Sequence, residues 1–199
     1  MPSPLLEVAR LLLLPGDTVI ARAARNKAVS TAYYVIFSEI SKIVADTFAS
    51  AASLGGLGYR VAYQQAFRSL DHRTVRGVAQ ETIRTATMPP KKRSKKHGSR
   101  PIDDAMAEAA PDPHFATLIA LVAETEKLRL VWASNCIALQ EARHSADYDP
   151  FFVASVQEAE SRILQAEEAL DALTKIGEFG RRKLAFDLVF FTQRPSPRS

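Results

Sequence analysis

Proline in a helix interior costs about 3 kcal/mol, so the places where a chain lacks it limit what it can become. The eleven prolines here stand at 2, 4, 15, 89, 90, 101, 111, 113, 150, 195 and 197. Three long stretches, 16–88, 114–149 and 151–194, are therefore free of it. A sheet protein needs turn signals far more often than that. The distribution predicts long helices with punctuated ends.

Hydrophobic periodicity agrees. Val29, Tyr33, Ile36, Phe37, Ile40, Ile43 and Val44 recur at steps of three and four. Asp17 is the expected N-cap of that helix, and Leu54-Gly55-Gly56-Leu57-Gly58 its close. A second helix is predicted from about Tyr59 to Thr85, with Gly77 as its weak point. Two heptad-like stripes follow. One runs through Leu118, Leu121, Thr125, Leu128, Trp132, Asn135 and Leu139, the other through Phe152, Val156, Ala159, Ile163, Ala166, Leu170 and Leu173. Such stripes pack side by side in bundles. Gly177 and Gly180 are expected to interrupt the last helix. Beyond them, the apolar stretch 184–191 must be covered by something. The expected fold is all-α: an antiparallel bundle of four to five helices in one domain over 1–199. A flexible insertion at 87–112 and a loose tail at 193–199 complete it.

The formal net charge is +4, but its position matters more than its size. Lys91, Lys92, Arg93, Lys95, Lys96 and Arg100 form a proline-flanked run without one acid. Without those six cations the rest carries two more acids than bases. Such a run repels itself and cannot bury a core. It is expected to be a solvated loop that contacts phosphate or merely solubilises; a nuclear-import signal would look similar. The lone Cys136 excludes an internal disulfide framework and is expected to be buried. The N-terminal run Leu11–Leu14 is too short for a signal peptide, and no stretch is long enough to span a membrane. A cytoplasmic protein without membrane partners is expected.

No glycine-rich nucleotide loop, nucleophile elbow or metal-binding His-Glu-x-x-His is present, so neither metal nor cofactor is expected. Three clusters combine cations with His, aromatic or acidic groups. The first is Arg25-Asn26-Lys27, just before Tyr33-Tyr34. The second holds Arg68, Asp71, His72 and Arg76, where helical spacing would place 68, 72 and 76 on one face. Flanking arginines would lower the proton affinity of His72. The third is Arg143-His144-Ser-Ala-Asp147-Tyr148-Asp149-Pro150. Arginine beside a neutral histidine suits metal-free RNA chemistry: one steadies phosphate while the other moves a proton. The bland reading of each cluster is a solvated helix face, with Arg143 and Asp147 as an i,i+4 salt bridge.

The stretch Arg25-Asn-Lys-Ala-Val-Ser-Thr-Ala-Tyr-Tyr-Val-Ile-Phe-Ser38 resembles the first long helix of the HEPN (higher eukaryotes and prokaryotes nucleotide-binding) superfamily. Arg143 with Ala146-Asp147-Tyr148 and Asp149-Pro150 resembles the matching corner of the same branch. The likeness spans about 17–175. It implies a small helical bundle, often a homodimer. Many relatives are metal-independent endoribonucleases, often toxins or defence proteins, and others bind RNA, nucleotides or a partner nucleotidyltransferase. Catalytic members carry Arg, four to six residues, then His. No histidine here has an arginine at that distance, and Ser38 stands where the first helix usually carries His.

Two readings follow. In the first, a HEPN-like RNA- or nucleotide-binding protein or ribonuclease uses His72, Arg68 and Arg143 for catalysis. Arg25, Arg76, His144, Asp147 and Tyr148 then bind substrate, and the 91–96 cations hold nucleic acid. In the second, a non-catalytic helical module dimerises or joins a protein partner. A weaker third has the basic loop as a nucleic-acid tether. Convergence of the second and third clusters in space favours the first reading.

Overall fold

The computed structural model describes residues 3–50, 56–87 and 113–191. All regular structure among them is helical: α1 (Pro4–Leu11), α2 (Val19–Ser50), α3 (Gly56–Arg68), α4 (His72–Thr87), α5 (Pro113–Tyr148), α6 (Val156–Lys175) and α7 (Gly177–Phe190). They pack as a helical bundle. The expected helix count is lower because α1 is additional and because the helix predicted from Tyr59 to Thr85 is split at 69–71; the interruption expected at Gly177 separates α6 from α7. The cations Lys91, Lys92, Arg93, Lys95 and Lys96, and the 193–199 tail, lie outside the described residues.

Helix α2 occupies the centre and packs against α1, α3, α5, α6 and α7. Its buried residues include Ala28, Val29, Ala32, Tyr33, Val35, Ile36, Ile40 and Val44, which lie on more than one face. Trp132, Cys136 and Leu139 of α5 meet it, together with Ile163, Ala166, Ala169 and Leu173 of α6. The buried alanines of α6 let helix backbones approach closely. Burial pushes the Cys136 thiol up to about 12, so it is a core group and not a nucleophile.

The helix ends differ from the expected ones for identifiable reasons. Thr18, not Asp17, caps α2: its Oγ1 accepts the Ala21 N–H at 3.1 Å. Asp17 instead accepts two bonds from Arg22. Ser155 caps α6 by accepting the Glu158 N–H, so Phe152 precedes that helix. Gly177, at φ 66°, provides the left-handed residue between α6 and α7. Gly180 does not interrupt α7: it is buried, and a Cβ there would lie 2.9 Å from Thr125 Cγ2.

Nor does Gly77 break α4. It faces the Phe191 ring so closely that a Cβ would overlap it. Gly77→Ala should lower the melting temperature while Phe191 is present. In a Phe191→Ala background the same change should stabilise by up to about 1 kcal/mol, the helix-propensity gain of Ala over Gly. Thermal unfolding of the four variants in that cycle checks the sign reversal.

Arg25 is buried, and it donates to three backbone carbonyls: Ala154 O at 2.7 Å, Leu14 O at 3.0 Å and Gly16 O at 2.7 Å. Asn26 adds a two-way clamp, giving to Phe152 O and accepting from Ala154 N. Arg25 therefore ties two loops to α2 and is not free for substrate, which corrects the expectation from its motif. Arg25→Lys should destabilise by about 1–3 kcal/mol in denaturant unfolding, since an ammonium cannot reproduce the planar fork.

Candidate functional site

The site is built on the consecutive tyrosines of α2. Adjacent helical positions diverge by about 100°, so Tyr33 and Tyr34 serve different neighbours. Tyr33 is fully buried, and its hydroxyl lies 2.8 Å from His72 Nδ1 at the start of α4. Tyr34 reaches α5, where its hydroxyl accepts from Arg143 Nη2 at 3.1 Å. The two rings pack edge to face, 5.6 Å apart. Phe37, one turn on from Tyr33, lies 4.4 Å from the His72 ring.

Arg143 is held from all sides. Its Nε donates to Asp147 Oδ2 at 2.8 Å, and Nη2 also reaches the Tyr148 hydroxyl at 3.3 Å. The guanidinium carbon sits 5.5 Å from the Tyr34 ring centre and 5.4 Å from that of Tyr148. Asp147 is fixed in turn by Ser30, whose hydroxyl donates to Oδ1 at 2.5 Å. Burial works against the charge on Arg143, but Tyr34 and Asp147 outweigh it and hold the group cationic.

His72 stands at the first position of α4. Asp71 caps that helix by accepting the Thr74 N–H, a bond that also holds the Asp71 carboxyl below its ordinary range. Gln140 of α5 donates to the His72 carbonyl at 3.0 Å. Burial and then the Arg143 charge lower the proton affinity of His72, while Asp71 opposes them. The direction matches the expectation, but the causes are burial first and Arg143 second, not the arginines at 68 and 76.

Arg68 stands apart, whereas Arg76 shares α4 with His72 and is engaged elsewhere. The chain leaves helix at Ser69–Asp71, so Arg68 ends α3 and shares no helix face with His72. Arg76 is paired with Glu141 at 2.8 Å. His144 is exposed, its ring 5.1 Å from Tyr148. His72, Arg143, Asp147 and Tyr148 thus come together, while Arg68, Arg76 and Arg25 do not join them. Ser30, Tyr33, Tyr34, Phe37 and Gln140 complete the cluster without having been singled out as site residues. Their signal was spacing: Ser30 and Tyr34, like Tyr33 and Phe37, are four apart on α2.

The Tyr33 hydroxyl determines what His72 can do. Burial raises the phenol's pKa, so it keeps its proton. Among the described residues its hydrogen-bond partner is His72 Nδ1. A buried hydroxyl without an acceptor is costly, so Tyr33 donates to Nδ1. The neutral imidazole then carries its proton on Nε2, which is left as a donor on a half-buried ring. Beside it stands a fixed cation. The cavities of about 280, 360, 400 and 440 Å³ are lined by other residues; the notch between α2, α4 and α5 that holds this cluster reaches the surface at Tyr148, which is 63% exposed. Among the described residues no group of His, Cys, Asp or Glu is placed to hold a metal. None of their helices is long and apolar enough to cross a membrane.

No family model, curated protein or solved structure matches this chain.

His72 should titrate below the ordinary 6.5 in NMR. Arg143→Gln should move the midpoint up and Arg68→Gln should leave it in place. Nitrogen shifts should show the proton of the neutral ring on Nε2, a preference that Tyr33→Phe relaxes. Because the folded value is the lower one, folded His72 binds fewer protons than unfolded His72 at mildly acid pH. Its contribution to stability is complete above about 6.5, the unfolded value, and is lost progressively as pH falls from there through the lower folded value. His72→Asn should remove that part of the acid dependence.

Proposed function

We propose that the chain is a HEPN-like protein that binds RNA or a nucleotide, with Arg143 as the phosphate contact and His72 Nε2–H as a second donor. The observation that carries this reading is the meeting of His72 and Arg143, from different helices, on the Tyr33-Tyr34 pair. Asp147, Tyr34 and Tyr148 take up Nε and Nη2 and fix the guanidinium plane, so Nη1 is the nitrogen left to donate to an anion.

The ribonuclease version demands more. For His72 to take the 2′-hydroxyl proton, Nε2 must be unprotonated, and Tyr33 favours the opposite tautomer. Arg68, the expected partner of His72, is on another helix. Binding is therefore the function the geometry supports best, and cleavage is the version the same assay tests.

Purified protein is mixed with a fluorescent single-stranded RNA in EDTA, and binding and cleavage are read together. Arg143→Gln should weaken binding about ten-fold or more, the loss of one charge-assisted contact. His72→Ala should weaken it less. Intact RNA eliminates the nuclease version, whereas wild-type cleavage that disappears in His72→Ala establishes it. Equal binding by wild type and Arg143→Gln, or none by either, overturns the reading.

One observation favours the alternative, a non-catalytic interaction module acting as a homodimer or with a nucleotidyltransferase. Phe186 and Phe190 of α7 are about half exposed and stack 5.9 Å apart, while Leu184 and Leu188 of the same helix are buried. Light scattering that finds a monomer with no co-purifying protein counts against it.

A further inference from the structure

Helix α3 packs on α2 and carries an aromatic ladder. Tyr59, Tyr63 and Phe67 are spaced by four, with ring centres 6.0 and 6.3 Å apart and the second pair within 20° of parallel. Tyr59 is exposed, and the other two rings are partly so. Beside this stripe runs a second one, Arg60, Gln64 and Arg68, displaced by one residue. Arg60 and Arg68 are exposed and form no ion pair with any described residue. Grooves of about 360 and 400 Å³ share Tyr59 and Asp46 and bring in Arg181 and Arg182 of α7. Their acids are Asp46 and Glu178, and their bases are Arg60, Arg181 and Arg182, so cations prevail.

The ladder has a direction. Tyr59 borders Ile43, Asp46 and Thr47 of α2. The charges of Asp46 and Glu39 both act on Tyr63. Phe37 and Tyr34, further back along α2, touch His72 and Arg143 respectively. From Asp46 to Tyr34 is about 18 Å at helical rise, and Arg68 is joined to His72 by only three residues. Aromatic rings, with arginines that are unpaired among the described residues, thus follow α2 from Asp46 back towards Glu39, in the direction of Tyr34 and the notch.

We infer that the outer face of α3 is a track for unpaired RNA, with bases stacked on Tyr59, Tyr63 and Phe67 and phosphates met by Arg60 and Arg68. The inference rests on the proposed phosphate contact at Arg143 and extends it from one nucleotide to a strand. Every base offers a π face, and regularly spaced rings beside cations are how sequence-tolerant single-strand sites are built. A buried protein partner would find the two free guanidinium groups expensive to desolvate, whereas phosphates match them. Asp46 repels phosphate from its side of the groove and offers acceptors to base amino groups.

The test compares full-length wild type, Arg60→Gln/Arg68→Gln, Tyr59→Leu/Tyr63→Leu and, as the control for the underlying contact, Arg143→Gln. Each is titrated with a uniform RNA strand of about ten nucleotides, the matching dinucleotide and a duplex of equal length. Wild type should hold the strand at least ten-fold more tightly than the dinucleotide or the duplex. Tyr59→Leu/Tyr63→Leu, which keeps apolar bulk, should weaken strand binding about ten-fold. The α3 arginine variant should also flatten the salt dependence by about 1.4 in log–log slope, for two lost phosphates. Both α3 variants should leave dinucleotide binding unchanged.

Strand and dinucleotide bound alike, or α3 variants equal to wild type, overturns the track while leaving the Arg143 contact standing. Dinucleotide binding indifferent to Arg143→Gln instead removes the reading beneath it. No binding of the strand by folded wild type, together with self-association lost on Tyr59→Leu/Tyr63→Leu, would assign the face to protein.

Discussion

A helix covered on several sides carries its buried polar groups best where partners come to meet them, and α2 does so at Arg25, Ser30 and Tyr33, with Ser41 Oγ the exception that has no partner among the described residues. An unmet buried donor costs a few kcal/mol, as much as a sizeable share of a domain's net stability. Arg25, Ser30 and Tyr33 all lie in its buried part. Each is answered from another segment: Arg25 by three carbonyls, Ser30 by Asp147, Tyr33 by His72. The polar network is therefore also the geometry of assembly. It determines which turn of α5 and which end of α4 stand opposite Tyr33 and Tyr34.

A plain surface ion pair would explain Arg143 and Asp147 by themselves, at a few tenths of a kcal/mol. The rest of the arrangement goes further. Ser30 holds the carboxylate, two tyrosine faces flank the guanidinium, and the Arg143 side chain stays only 14% exposed. Most rotamer freedom is therefore lost before any ligand arrives, which is how binding groups gain affinity through preorganisation. Tyr148, on the outer side of Arg143, is 63% exposed and ends α5, so the cation is reached past the least constrained part of its cage.

The all-helical fold was legible because proline placement and three-four spacing are properties of the chain itself. Boundaries were less so. Ser155-Val-Gln-Glu158 is a capping pattern readable in the sequence, yet the apolar Phe152 suggested an earlier start. The break at 69–71 has no proline or glycine, and only Asp71, an able N-cap, marks it. That one break moved Arg68 away from His72. The pairing of His72 with Arg143 was only partly legible, because it depends on α4 and α5 meeting across α2. Arg25 was misread for a related reason: a buried arginine bonded to carbonyls and an exposed one awaiting phosphate look alike in sequence.

The two cationic positions of the notch are coupled. Arg143 disfavours protonation of His72, so at neutral pH the pair carries one charge and not two. An anion lying against both groups lessens that repulsion and adds an acceptor for Nε2–H. Binding of the anion must then raise the proton affinity of His72, and by reciprocity protonation of His72 must tighten the anion. The Tyr33 hydroxyl is compatible with this in only one sense. Once both ring nitrogens are protonated, Tyr33 must turn from donor to acceptor, and its buried proton loses its partner. Proton uptake at His72 is thus opposed by Tyr33 and Arg143 and favoured by a bound phosphate. On the proposed reading, a phosphate bound in the notch would register in a single imidazole proton.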